Sequence, residues 1–133
     1  FGQEAPDISW EAELKNIPGS DTIFLVLKAD VPQGLHIYSS DFQCDIGPNP
    51  TSFKELNIEG ASQVGRLISV DPKTTYDDIF MCDLAYFDKK AELRQAFISS
   101  SKHKRIHGVL EFQVCLENGM CILQTHNFDL ASE

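Results

Sequence analysis

Two cysteines bracket the segment Val114-Cys115-Leu116-Glu117-Asn118-Gly119-Met120-Cys121-Ile122. The Asn-Gly pair between them is the strongest short-range reverse-turn signal a sequence carries, because both residues tolerate positive φ. The flanking stretches alternate in β fashion, so the segment predicts a tight hairpin with Cys115 and Cys121 facing each other on neighbouring strands. Period-two alternation puts Leu110, Phe112 and Val114 on one face and Glu111, Gln113 and Cys115 on the other. In the returning strand Ile122, His126, Phe128 and Leu130 share a parity, and Cys121 travels with Leu123, Thr125, Asn127 and Asp129. Both cysteines are thus assigned to the wetter face, within reach of a protein partner.

A bridge at this place is a poor clamp. Closing a loop of about seven residues stabilises by roughly 2.4 kcal/mol, against roughly 4.7 for a loop of about a hundred. Opposed strand residues hold their Cβ atoms about 4.5–5.5 Å apart, whereas a disulfide prefers about 3.8 Å, which predicts a bond easier to reduce than a relaxed one. A plain hairpin staple in a secreted domain is the competing reading of the same nine residues.

The rest of the chain is also written in strands. Ile8, Trp10, Ala12 and Leu14 alternate with Ser9, Glu11, Glu13 and Lys15, and Pro18-Gly19-Ser20 ends that run. Trp10 reads as core packing. Thr22 to Val31 follows, with Ile23, Leu25, Leu27 and Ala29 on its core face, and Pro32-Gln33-Gly34 breaks it before Leu35-His36-Ile37-Tyr38. Gly47-Pro48-Asn49-Pro50 is a rigid turn. Short strands are expected near Phe53 to Ile58, Arg66 to Val70 and Ala91 to Ser99. Periodicity fades from Asp71 to Lys90, so an acidic and aromatic loop is expected there, of a length usually kept for function. Turns about every ten residues indicate an all-β, two-sheet antiparallel sandwich.

With 133 residues, one domain spanning 1–133 is expected. Asp and Glu number 20 against 11 Lys and Arg, a formal net charge of -9. That balance argues against nucleic acid and anionic membranes as partners. No run of eighteen apolar residues exists to span a bilayer. The first residue, Phe1, fits a mature form after signal removal or a trimmed chain. Cysteines at 44, 82, 115 and 121 match no zinc spacing, and the four histidines match no HExxH pattern, so disulfide chemistry in an oxidising compartment outranks a metal site. His103 and His107 read as surface residues and His126 as a strand residue. Asp77, Asp78 and Asp83 lack the ligand alternation and glycine of a calcium loop. Neither metal nor organic cofactor is expected.

Several pieces coincide in order and spacing: Trp10, Gly34-Leu35-His36-Ile37-Tyr38-Ser39, Gly47-Pro48-Asn49-Pro50-Thr51-Ser52-Phe53, Tyr86-Phe87 and Phe112-Gln113-Val114-Cys115…Cys121. Together they resemble the amino-terminal periplasmic domain of the thiol:disulfide interchange protein DsbD, in its Bacteroidetes-like versions, over nearly the whole chain. The resemblance implies an immunoglobulin-like sandwich that acts as the electron-relay domain of a protein-disulfide reductase. Cys115 and Cys121 would be the redox couple, with Cys121 forming the mixed disulfides. A thioredoxin-like donor domain, in the family a part of the same transporter, would reduce the pair. Periplasmic disulfide isomerases or cytochrome c maturation thioredoxins would be the clients. The implied location is the periplasm, with tethering to the inner membrane left to the full-length protein.

The resemblance also implies a cap over the cysteines. Asp77-Asp78-Ile79-Phe80 matches it, with Phe80 the preferred shield over Ile79, and Asp77 or Asp78 available for proton transfer if desolvated beneath it. His36 and Tyr38 match positions flanking the active site. Two departures stand out: Leu123-Gln124 replaces the prolines often found after the second cysteine, and Cys44 and Cys82 lie outside the family's pair. These two are either a second disulfide or two free buried thiols. A noncatalytic immunoglobulin-like adhesion or interaction module with structural disulfides is the alternative function.

Overall fold

The computed structural model describes residues 6–132, which form ten strands and two antiparallel sheets. One sheet holds β1 (Trp10–Asn16), β2 (Thr22–Asp30), β8 (Lys90–Ser99) and β5 (Ala61–Ser69), in the order β1-β2-β8-β5. The other runs β10 (Cys121–Ser132), β9 (Lys104–Leu116), β3 (Leu35–Tyr38), β7 (Cys82–Phe87) and β6 (Lys73–Asp77), and β4 (Ser52–Glu59) pairs with β9. β9 is the spine of this sheet. One of its edges carries β10 along its length; the other carries β4 beside Arg105 to Glu111 and then β3 beside Val114 to Leu116. This is the immunoglobulin-like sandwich expected from the turn spacing and the resemblance.

Alternation explains the core. Ile23, Leu25 and Leu27 from β2 meet Leu110, Phe112 and Val114 from β9 in one apolar cluster between the sheets, and all six are buried. Trp10 joins them edge-on to Phe112, with ring centroids 5.3 Å apart. A side chain of this class contributes about 1.5–3 kcal/mol when fully buried, so this cluster dominates the stability of the sandwich.

The segment from Asp71 to Lys90 is not the loop its faded periodicity suggests. It is a hairpin, β6 and β7, paired from Lys73↔Tyr86 to Asp77↔Cys82. β6 is an edge strand whose residues 73–76 are all exposed, so no apolar alternation marks it. β7 is buried on both faces: Phe87 packs in the main core while Leu84 faces outward into a second cluster, which removes alternation there too. Asp77 closes the turn by accepting from the Ile79 and Phe80 amides, each at 2.9 Å, and the Asp77 carbonyl accepts from the Met81 amide at 2.7 Å. The strand expected near Arg66 also begins earlier, at Ala61. The fully buried Gln95 bridges its irregular middle by donating to the Val64 and Gly65 carbonyls.

Candidate functional site: a half-buried disulfide at a hairpin tip

Cys115 and Cys121 are directly paired across β9 and β10 and are joined in a disulfide with Cα atoms 4.0 Å apart. The turn beyond them is a three-residue loop, Glu117-Asn118-Gly119. The Leu116 carbonyl accepts from the Gly119 amide at 3.0 Å, and the Leu116 amide donates to the Met120 carbonyl at 2.8 Å. Of the Asn-Gly pair only Gly119 has positive φ, at 89°, the arrangement of a turn followed by a left-handed bulge. Because Leu116 and Met120 form the hydrogen-bonded pair, the cysteines fall at the adjacent non-hydrogen-bonded position, where opposed residues come closest.

The two sulfur-bearing residues differ in environment. Cys121 is exposed, as its parity predicts. Cys115 is 1% exposed, which overturns the expectation that both lie on a wet face. Its parity is as read, but that face of the sheet is covered. Tyr38, Leu84 and Cys115 form a second buried cluster there, with Phe42, Cys44, Cys82 and Tyr86 packed against it.

The cover is the connection between β3 and β4, residues 39–51, anchored on both sheets. The Ser39 amide donates to the Ala85 carbonyl at 2.8 Å, and the Thr51 hydroxyl donates to the Tyr38 carbonyl at 2.6 Å. The Ser40 hydroxyl donates to the Leu67 carbonyl at 3.0 Å, and the Ser69 amide to Asp41 Oδ2 at 2.9 Å. The Asn49 amide reaches over to Gln113 Oε1 at 3.0 Å. A disulfide between Cys44 and Cys82 ties the same connection to β7.

The residues matched to a cap are placed around this cover. Phe80 is 36% exposed and its ring lies over Gly47, where an added Cβ would stand 3.1 Å from the ring; the bare glycine, with φ at 150°, gives the ring its seat. Ile79, 86% exposed, points outward, and Asp78 is exposed. The Asp77 carboxylate is occupied by the amides of its own turn. Cys121 stays open to solvent beside this arrangement.

His36 and Tyr38 both lie beside Cys115. His36 is the register partner of Cys115 in β3, so the row across the sheet reads Cys121, Cys115, His36. Its Nε2 and the Tyr38 hydroxyl share a hydrogen bond at 3.4 Å, and its ring stands edge-on to Tyr38 and Tyr86 at 5.1 and 5.6 Å. Burial lowers the His36 pKa from its ordinary value, with the Asp88 carboxylate pulling weakly the other way. Burial, and then the negative charge of Asp77, raise that of Tyr38. His36 also lines an open cleft with Asp30, Tyr86, Asp88, Lys89 and Glu117. A separate surface hollow lined by Glu59, His103, Arg105 and Ser132 lies at the far end of β9 and β10 and holds no cysteine.

Sequence reading missed the partners that bury Cys115, namely Phe42, Leu84 and Tyr86. Tyr86 enters the sequence reading only as a piece of the resemblance. The available signal was the run Leu84-Ala85-Tyr86-Phe87, apolar on both parities, which marks a strand covered on both faces. Among the described residues no cluster of three or more His, Cys, Asp or Glu could hold a metal ion, and no helix is long and apolar enough to cross a membrane.

Comparison with known proteins places this geometry. The crystal structure of the Neisseria meningitidis DsbD N-terminal domain in the reduced form aligns with a TM-score of 0.56 at 15% identity, covering 92% of this chain and 85% of that one. The complex between the DsbD N-terminal and PilB N-terminal domains from Neisseria meningitidis aligns at 15% identity with a TM-score of 0.40, covering 92% and 80%. ACE19, the collagen-binding subdomain of the Enterococcus faecalis surface protein ACE, aligns at 9% identity with a TM-score of 0.34, covering 96% and 98%. No curated protein matches the chain. The family described as "Thiol:disulfide interchange protein DsbD, N-terminal" matches residues 9–133, and the chain belongs to it.

Proposed function

We propose that this chain is a periplasmic thiol–disulfide exchange domain that relays electrons from a thioredoxin-like donor to oxidised client proteins through Cys115 and Cys121. The observation that carries the reading is the asymmetry of the bridge: Cys115 is 1% exposed while its partner at the hairpin tip is exposed. An incoming thiolate needs an open line to a sulfur, and Cys121 offers it.

In the first half-cycle a donor thiolate attacks Cys121 Sγ, a new S–S bond forms, and the Cys115–Cys121 bond breaks with its electron pair on Cys115. The donor's second thiol then displaces Cys121, leaving a dithiol here and a disulfide in the donor. In the second half-cycle Cys121 attacks the disulfide of an oxidised client, and Cys115 resolves the mixed disulfide. Nothing cationic adjoins either cysteine in sequence and, among the described residues, no helix terminus points at them, so activation in the first half-cycle comes from the donor's thiol. Family membership supports exchange as the chemistry. The Neisseria meningitidis complex with a PilB domain is an instance of a DsbD N-terminal domain bound to a second protein, and a docked donor is the partner proposed here.

The test is covalent trapping. Cys115→Ser protein, left with Cys121 alone, should accumulate a mixed disulfide with a thioredoxin-like donor, and Cys121→Ser protein should not. Equal trapping by both variants, or reduction of neither the wild type nor the donor adduct, would refute the relay and leave the noncatalytic interaction module.

A further inference from the structure

Opening the bridge gives a buried sulfur a negative charge. Cys115 is 1% exposed and packs against Tyr38 and Leu84, so its thiolate can neither be stabilised nor protonated by bulk water where it forms. Some group beside it must handle the proton. We propose that the imidazole of His36 is the proton carrier of Cys115, donating to the departing sulfur as the bridge opens and taking the proton back as it re-forms. The inference rests on the relay reading of the Cys115–Cys121 bridge.

Three features of the fold assign the task to His36. It sits directly opposite Cys115 in the β3–β9 register and on the same face, a direct cross-strand neighbour. The Tyr38 hydroxyl bonds its Nε2 at 3.4 Å, and edge-on contacts with Tyr38 and Tyr86 hold the ring plane. It also borders the open cleft, so a proton taken from Cys115 has an exit to solvent.

The other ionisable groups facing His36 are unsuited. Tyr38 is a phenol whose pKa burial raises further, so it holds its proton at neutral pH. Asp30, Asp88, Lys89 and Glu117 line the cleft on its solvent side, with Asp88 held by Lys73 Nζ at 2.7 Å. Asp77, the family-implied alternative, spends its Oδ1 on two amides of its own turn. An imidazole is the side chain that changes charge near neutrality. Burial lowers its pKa, which suits it to accept as well as donate.

The donor thiolate bonds to Cys121 Sγ, the Sγ–Sγ bond breaks, and the electron pair on Cys115 takes the N–H proton of the His36 imidazolium, giving a thiol and a neutral ring. On reoxidation the neutral ring takes the Cys115 proton, the resulting thiolate attacks Cys121 in the client mixed disulfide, and the client thiolate leaves.

The experiment is the reduction of the oxidised chain by dithiothreitol between about pH 5 and 8, each rate constant divided by the reductant's thiolate fraction. In the wild type the corrected constant should fall about tenfold as pH rises through the His36 titration, because the imidazolium is the proton donor. The inflection should lie below 6.5, the ordinary histidine value. His36→Gln, which can still bond Tyr38, should give a flat profile at the lower level. Superimposable profiles would overturn the proposal while leaving the relay intact. A ring-proton NMR titration of His36 in the wild type makes the test independent of the variant's folding: a kinetic inflection that does not coincide with that titration overturns it as well. A bridge that no thiol opens at any pH would bring down the relay reading and this proposal together.

Discussion

The two disulfides of this chain close rings of very different size. Cys115–Cys121 spans 6 residues and joins strands already zipped by twelve register pairs, whereas Cys44–Cys82 spans 38 and ties an irregular connection to β7. By loop-closure entropy the small ring contributes about 2.4 kcal/mol and the large one about 3.9 kcal/mol. Opening the small ring leaves its strands held by backbone hydrogen bonds; opening the large one removes the covalent tie between the cover and β7. The difference teaches that the bond suited to turnover is the one the fold depends on least.

The largest effect that would break this contrast concerns the small ring. Cys121→Ser should bring exchange with a thioredoxin-like donor down to the uncatalysed background while lowering stability by only about 2 kcal/mol, read by denaturant titration. A loss of folding as severe as the loss of exchange would make the hairpin bridge the clamp. Next comes the reciprocal change. Cys44→Ser/Cys82→Ser should cost about 3–4 kcal/mol in the same titration and leave exchange at Cys121 within about threefold. If the double variant loses exchange and keeps its stability, the roles of the two bonds are reversed.

How much of this contrast is legible in sequence follows from range. The hairpin, its parity and the core strands β1, β2, β8 and β9 were readable because each depends on alternation within about ten residues. The exposure of Cys121 follows from that parity. The burial of Cys115 does not, because its cover is assembled from Phe42, Leu84 and Tyr86, 29 or more positions upstream of it in the chain. The β6–β7 hairpin was invisible for complementary reasons: β6 has no buried face and β7 has two. His36 was placed beside the site by resemblance, yet only the β3–β9 register puts it opposite Cys115.

A smaller effect probes the cover without cutting its tether. Phe80 seats on Gly47, within the ring that Cys44–Cys82 closes, so Phe80→Ala loosens one contact of the cover and leaves the disulfide in place. Reduction of Cys115–Cys121 by a small-molecule thiol should quicken about two- to threefold, modest because Cys121 is already exposed. An unchanged rate would mean that the Cys44–Cys82 tether alone sets access, and that the matched cap residues take no part in gating.

The smallest expected effect is on the pH dependence of stability, and it separates the neighbourhood of the small ring from the rest of its sheet. Burial lowers the pKa of both His36, beside the bridge, and His126, in the middle of β10. A histidine whose folded value is depressed binds its proton more readily when unfolded, so the unfolded chain takes up more protons as the solution acidifies. The stability is therefore complete above 6.5, the unperturbed value, and is lost as pH falls through the folded values. Asp88 and Asp129, lowered by Lys73 and Arg105, add losses of the same sign only below the ordinary carboxylate value of 3.8, so the window just under 6.5 belongs to the histidines. Denaturant midpoints should decline across that window in the wild type, and His36→Gln and His126→Gln should each flatten part of the decline. Reducing the Cys115–Cys121 bridge should alter the His36 share and leave the His126 share alone, because His36 adjoins Cys115 in the register whereas His126 lies opposite Leu110. If reduction shifts both shares equally, the redox state of the bridge is felt along the whole of β10 rather than at the row that contains it.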